Sequence, residues 1–229
     1  MRWTFPTSRL CPSTGGVLNH YLRDEGSLAL ARSTIESGRT PHAIGLQSHQ
    51  PSGTRALWMF QEESDAFGRL GVRVHWTENS LLSGEPRKSH FVKGKANVPP
   101  WPCTPEGEEH QARALQEQYT LLFGHPNVDA ITQWNFTDAC SWLGAPSGLL
   151  DRELEPKPAY RALRTLIRRD WWSDAGEVTD GDGRLVTRLF HGDYRVRAVG
   201  GNGIPGPWLE CAVDGPTCCC RIDLAPEGT

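Results

Sequence analysis

Any chemistry that this chain performs depends first on Glu78. This residue ends a short run of β-branched and aromatic residues over 71–78, and turn-forming Asn79 and Ser80 follow at once. The pattern predicts a buried strand that carries Glu78 at its carboxyl end, where α/β enzymes keep their reactive groups. A carboxylate there can act as a nucleophile or stabilise a developing positive charge. Glu78 alone does not define a site, because most acidic residues at strand ends are solvated or paired at the surface.

Other predicted strands also end in groups that bind hydroxyls or flat rings. The residues are Asn19 and Tyr21 after the first strand, Gln47 and His49 after the second, and Trp134 followed by Trp142 after the fourth. Because the carboxyl ends of parallel strands face the same side, we expect these side chains to converge with Glu78. A carboxylate, an imidazole, hydrogen-bonding side chains and two indole faces are typical of a site that holds a sugar.

Each of these residues also has a purely structural interpretation. His49 alone is explained as a histidine whose hydrogen bonds stabilise the fold, and Trp134 and Trp142 alone as core residues. Asn19 and Tyr21 are explained as the cap of the first strand. The functional interpretation depends on all of them occurring together at successive strand ends.

The elements that must position these groups alternate along the chain. Predicted strands cover 16–21, 42–49, 71–78 and 128–134. Predicted helices cover 27–37, 53–68, 106–123 and 158–170. This alternation indicates parallel βα units, whereas the segment 80–105 is long enough to be either a working loop or a disordered one. Further strands are predicted over 177–179, 184–190 and 194–199, separated by Gly- and Asp-rich turns, which indicates a small antiparallel extension.

Composition excludes several classes of function. The chain has 229 residues with a net charge of -3, which offers no basic field for nucleic acid. It has no apolar run long enough for a membrane span and no visible secretory signal. Seven cysteines without a matched pair of CxxC motifs favour free thiols over a disulfide framework or a zinc site, so no metal ion or cofactor is expected.

Three segments in order resemble glycoside hydrolase family 10, the retaining endo-1,4-β-xylanases. They are Ile44-Gly-Leu-Gln-Ser-His49, Trp76-Thr-Glu78 and Ile131-Thr-Gln-Trp-Asn-Phe-Thr-Asp-Ala-Cys-Ser-Trp-Leu143. Pro156-Lys-Pro-Ala-Tyr160 resembles the family's closing segment, and 189–194 resembles the β extension of plant-type members. The resemblance implies an α/β fold, a partial (β/α)8 TIM barrel of about the last four βα units over 1–172, with a β-rich extension over 173–229.

The resemblance also implies a role for each strand-end residue. Glu78 matches the nucleophile that forms the glycosyl-enzyme intermediate, and His49 matches the histidine that supports it, with Gln47 in the same motif. Trp134 and Trp142 match the tryptophans that wall the subsite of the scissile sugar. Asn19-His-Tyr21 resembles an Asn-Asp-Tyr motif in which His20 replaces the acid, and Asn79 stands where the family has an apolar or small residue.

The family's acid/base glutamate belongs to an Asn-Glu pair on an earlier strand. No Asn-Glu pair occurs in the 229 residues, and the stretch before Val17 is too short for four βα units. Glu85, Glu106, Glu108 and Glu109 are better explained as solvated charges or as acids at a helix start. We therefore expect a truncated form that lacks the acid/base residue and needs a complementing half-barrel.

The expected function is hydrolysis of β-1,4-xylan with retention, in a truncated form that is inactive alone because the acid/base glutamate is absent. The expected partner is the polysaccharide, and the resemblance implies an extracellular or cell-wall location. The alternative is a non-catalytic carbohydrate-binding protein that stacks Trp134, Trp142 and Trp101 on a polysaccharide.

Overall fold

The computed structural model describes residues 25–39, 41–87, 101–215 and 217–222. The chain divides into two compact units, and the boundary between them lies between Ile167 and Arg168. The predicted first strand, with Asn19, His20 and Tyr21, lies outside the described residues, as does the middle of the predicted long segment over 80–105.

The larger unit contains a parallel sheet whose strands alternate with helices. Its strands are β1 (Ala43–Gln50), β2 (Arg73–Leu81) and β3 (Val128–Gln133), and they lie in the order β1-β2-β3. Its helices are α1 (Glu25–Glu36), α2 (Leu57–Gly68), α3 (Pro105–Phe123) and α4 (Pro158–Thr165), and a π-helical segment, Leu166–Asp170, follows α4. The prediction of parallel βα units is confirmed for these strands, which form an open three-stranded sheet and do not close into a barrel within the described residues.

The core forms where α2 packs against one face of the sheet. Leu46, Val74 and Trp76 point from β1 and β2 towards Phe60 and Phe67 of α2, and all five are buried. The rings of Phe60 and Trp76 lie 4.8 Å apart, and the Trp76 indole donates to the Ser64 hydroxyl at 3.3 Å. Burial of each such side chain stabilises the fold by about 1.5–3 kcal/mol, so this face fixes the orientation of β2.

Helix α3 begins at a well-formed cap and covers the strand ends. The Thr104 side chain accepts a hydrogen bond from the Gly107 backbone at 3.0 Å, and Pro105 occupies the first turn. One turn further, the buried Gln111 side chain donates to the Leu81 carbonyl at 2.8 Å and to the Gly148 carbonyl at 3.3 Å. Gln111 therefore ties α3 to the end of β2.

A buried ion pair joins the loops that follow the strands. The Lys157 ammonium, just before α4, donates to the Asp138 carboxylate at 3.0 Å and to the Ser83 hydroxyl at 2.8 Å. Asp138 also accepts from the Gly148 backbone at 2.7 Å, and both charged side chains are at most 2% exposed. These bonds hold the loops after β2 and β3 against the start of α4.

The smaller unit differs from its sequence prediction. It contains an antiparallel pair, β4 (Gly192–Val196) and β5 (Leu209–Val213), of which β4 overlaps the predicted strand over 194–199 and β5 was missed. The strands predicted over 177–179 and 184–190 are wrong. Val178 and Val186 are each 92% exposed, so these segments have no core face to bury. The turn between them does form, since Asp180 Oδ1 accepts from the Arg184 backbone at 2.8 Å.

Helices of the described residues are all too short or too polar to cross a membrane. Six cysteines lie in this part of the chain and none of them forms a disulfide.

Candidate active site

An irregularity between β1 and β2 places Glu78. Leu46 lies opposite Trp76, but the next residue of β1, Gln47, lies opposite Glu78, so Thr77 is an extra residue in β2. Without this bulge Glu78 would share the face of Trp76, two residues earlier, and point towards α2. The bulge moves Glu78 to the face that carries Gln47. The Thr77 hydroxyl donates to the Leu46 carbonyl at 3.3 Å and stabilises the bulge.

The Glu78 carboxylate accepts a hydrogen bond at each oxygen. The Gln47 amide donates to Oε1 at 2.9 Å, and His49 Nε2 lies 3.0 Å from Oε2. The Glu78 side chain is 21% exposed and that of His49 is 13% exposed. One carboxylate is thus fixed in position by two neighbours and still reaches solvent, which is what a nucleophile requires.

Ser80 is the third member of this chain of hydrogen bonds. It lies opposite His49 in the β1–β2 ladder, and its hydroxyl is 2.9 Å from His49 Nδ1. The two ring nitrogens of His49 therefore face different partners: Nε2 faces a carboxylate oxygen of Glu78, and Nδ1 faces the Ser80 hydroxyl, which can donate or accept. Glu78 and Ser80 together therefore hold the orientation of the imidazole. Sequence reasoning missed this role, although the spacing of two residues from Glu78 is the signal that would have indicated it.

Two indoles stand beside the imidazole. The Trp134 ring lies 5.6 Å from the His49 ring in an edge-on arrangement, and the Trp142 ring lies 6.1 Å from it at 35°. Each tryptophan is 47% exposed, so the interpretation of both as core residues is wrong. Leu143, next to Trp142, has a φ of 59°, a left-handed conformation that is uncommon for leucine.

A ring of buried amides supports the strand behind Glu78. Gln50 donates to Asn79 at 3.3 Å, Asn79 donates to Gln118 at 3.4 Å, and Gln118 donates to Gln50 at 3.2 Å. This ring explains why the buried Asn79 is accommodated, since its side-chain amide has hydrogen-bond partners. The Asn79 backbone carbonyl also accepts from the Trp134 backbone at 2.9 Å. Burial raises the pKa of the neighbouring Tyr119, which donates to Gln133.

The structure brings together five of the seven residues predicted for the site: Glu78, His49, Gln47, Trp134 and Trp142. Asn19 and Tyr21 lie outside the described residues. The prediction that Trp101 stacks on a polysaccharide is wrong, because Trp101 is 5% exposed and its indole donates to the Glu85 carbonyl. Glu106 and Glu108 occupy the first turn of α3, where acids favour the helix.

A sequence profile of glycosyl hydrolase family 10 matches residues 16–166, the stretch that contains the whole of this site.

The chain belongs to glycosyl hydrolase family 10. This confirms the resemblance found in the sequence. The chain is 31% identical over 145 residues to the anti-sigma-I factor RsgI6 of Acetivibrio thermocellus, a match that covers 60% of this chain and 18% of that protein. It is 23% identical over 146 residues to endo-1,4-beta-xylanase B of Paenibacillus barcinonensis, covering 57% and 40% respectively.

Solved structures show the same fold. Native xylanase 10B from Thermotoga maritima superposes with a TM-score of 0.51 at 20% identity, over 64% of this chain and 42% of that chain. The larger unit therefore has the architecture of part of a family 10 barrel. The chain spans less than half the length of the relatives it matches.

Proposed function

We propose that the larger unit carries the nucleophile side of a site for hydrolysis of β-1,4-xylan with retention. The observation that supports it is the Glu78 carboxylate, bonded at both oxygens by Gln47 and His49 and flanked by two half-exposed indoles. An oxygen of Glu78 would attack the anomeric carbon of a sugar stacked on the indoles. A glycosyl-enzyme bond then forms as the bond to the leaving oxygen breaks, and that oxygen takes the electron pair and a proton.

The proton must come from a second carboxyl group. Retaining glycosidases hold the two carboxyl groups about 5–5.5 Å apart, and the family's Asn-Glu pair is absent from the 229 residues. We therefore propose that this chain binds xylan and cleaves unactivated xylan only when a complementing half-barrel supplies the acid. The same carboxyl group would act as the base that activates water in the second step.

A non-catalytic carbohydrate-binding role is the second candidate. It is favoured by the missing acid and by the anti-sigma-I factor among the relatives, whose name describes regulation and not hydrolysis. In this function Gln47, His49 and Glu78 would bind sugar hydroxyls, and Trp134 and Trp142 would stack on the rings.

Binding and cleavage measured on one sample test the proposal. Titration calorimetry with xylohexaose should show binding that weakens about tenfold in Trp134→Ala or Trp142→Ala, a loss of about 1.4 kcal/mol. Trp58→Ala, which removes a 59% exposed tryptophan of α2, is the matched control. Identical affinities in all four proteins would contradict the site.

An activated substrate separates the two candidates. The leaving group of 2,4-dinitrophenyl β-xylobioside needs no proton, so a nucleophilic Glu78 should release one equivalent of dinitrophenolate and then stall. A binding protein releases none. Glu78→Gln should bind xylohexaose and release no dinitrophenolate.

A further inference from the structure

A cleft in the C-terminal unit combines aromatic rings with charged side chains, and it shares no residue with the Glu78 site. It encloses about 230 Å³, and its lining includes Trp172, Tyr194, Trp208, Asp174, Asp193 and Arg195. All of these residues belong to the unit that begins at Arg168.

The β4–β5 ladder sets one wall of this cleft. Asp193 lies opposite Ala212 and Arg195 lies opposite Glu210, so Asp193 and Arg195 project from the same face of the hairpin. The small Ala212 side chain leaves space beside Asp193. Trp208 directly precedes β5 and stands at the edge of that face.

Two guanidinium groups hold the Trp208 indole at the rim. The Arg197 guanidinium lies 4.5 Å from the centre of the ring and that of Arg195 lies 5.7 Å from it. These cation–π contacts stabilise one position of a ring that is still 53% exposed. Trp208 is thus a positioned aromatic surface and not a core residue.

Two aspartates of the cleft have carboxylates that are available to a ligand. Across the described stretches of the chain, the carboxylates of Asp174 and Asp193 take part in neither a hydrogen bond nor an ion pair. Each offers two acceptor oxygens to a ligand, and a pair of adjacent hydroxyls can donate to one carboxylate together.

The charges of the cleft select the class of ligand. Asp174 and Asp193 disfavour an anion, whereas Arg195 disfavours a cation, so a neutral ligand that stacks on indole and hydrogen-bonds to both kinds of charge fits best. We propose that this cleft is a second carbohydrate-binding site, which holds one or two pyranose rings of a neutral polysaccharide. Pockets that enclose drug-sized ligands measure roughly 300–1,000 Å³, so a cleft of this size suits a short stretch of a longer chain. The choice of xylan as that polysaccharide rests on the proposed function.

The test is binding of xylohexaose to the full chain by titration calorimetry. Wild type should bind at two sites. The Trp134→Ala/Trp142→Ala double variant should bind only at the cleft, and Trp208→Ala should weaken binding at the cleft at least tenfold. Asp193→Ala changes an exposed residue without an internal bond, so it should fold and should weaken cleft binding at least threefold. Val186→Ala, at a 92% exposed position of the same unit, is the matched control.

The outcomes separate the two proposals. Binding that survives in the Trp134→Ala/Trp142→Ala double variant and weakens when Trp208→Ala or Asp193→Ala is added to it supports the cleft as a binding site, whether or not the Glu78 site binds. Binding that is lost only in Trp134→Ala/Trp142→Ala overturns the cleft and leaves the proposed function standing. Unchanged binding in both Trp208→Ala and Asp193→Ala, or no binding of xylohexaose or cellohexaose by wild type, also overturns the cleft.

Discussion

Glu78 lies directly opposite Gln47 in the parallel ladder of β1 and β2, and the Gln47 amide donates to its carboxylate at 2.9 Å. The extra residue Thr77 creates this pairing. The backbone thus brings the amide and the carboxylate to one face before any side-chain rotation is needed, and the candidate site is a property of the sheet.

Gln47→Ala should slow the reaction of Glu78 with 2,4-dinitrophenyl β-xylobioside. A hydrogen bond to a charged group contributes about 1.5–3 kcal/mol, so the loss should be about 10- to 100-fold in the rate of dinitrophenolate release. Gln61→Ala, at an exposed position of α2, should react like wild type. Equal rates for Gln47→Ala and wild type would show that the amide does not hold the nucleophile.

Ser80→Ala should slow the same reaction about tenfold, because His49 loses the partner of Nδ1 and turns away from Glu78. Ser80→Thr keeps the hydroxyl and should restore the rate. Stopped-flow absorbance measures the rate of dinitrophenolate release in both variants. If Ser80→Thr is as slow as Ser80→Ala, the hydroxyl is not what positions the ring.

Asp138 and Lys157 should stabilise the fold only when both charges are present. Lys157→Met or Asp138→Asn alone leaves one buried charge unpaired and should lower the free energy of unfolding by about 3–5 kcal/mol. The double variant should lose much less than the sum, since it removes both charges while the amide oxygen introduced by Asp138→Asn can still accept from the Gly148 backbone. Urea unfolding of the four proteins provides the cycle, and additive losses would contradict the coupling.

His75 should make the protein less stable in mild acid. Burial lowers the pKa of His75 in the folded chain, and the nearby Asp129 carboxylate offsets this only in part. Its folded pKa is below its unfolded value of about 6.5, so the unfolded state binds more protons between these two pKa values, and stability falls as pH drops below about 6.5.

His75→Gln should therefore flatten the decline of the unfolding free energy between about pH 8 and pH 5. His191→Gln removes an exposed histidine of the smaller unit and is the control. A decline as steep in His75→Gln as in wild type would show that another group is responsible.

The alternation of parallel strands and helices was predictable because the chain repeats short apolar runs and amphipathic helices. The grouping of Glu78, His49 and Gln47 was predictable because strand ends converge in such a fold. The Thr77 bulge was not, since it depends on how β2 packs on β1 and α2. Ser80 and the amide ring of Gln50, Asn79 and Gln118 were missed because each residue type is ordinary in a turn or on a surface.

The smaller unit was the least predictable part of the chain. Val178 and Val186 lie in short runs that contain β-branched residues, as strands do, yet neither has a partner surface that would bury it. In the larger unit, Trp101 lies in a Pro- and Gly-rich segment that resembles an exposed loop. It packs inward because its indole donates to the Glu85 carbonyl. Burial of these residues depends on tertiary contacts that a local pattern does not contain.

The most direct test of the account is mass spectrometry of the full chain after reaction with 2,4-dinitrophenyl β-xylobioside. Because the 229 residues hold no Asn-Glu pair to supply the base of the second step, the xylobiosyl-enzyme should accumulate and map to Glu78, and Glu78→Gln should remain unlabelled. Added azide should release it as a β-configured azide, the outcome of two inversions at one carbon. No adduct, or an adduct on another residue, would contradict the assignment of Glu78 as the nucleophile.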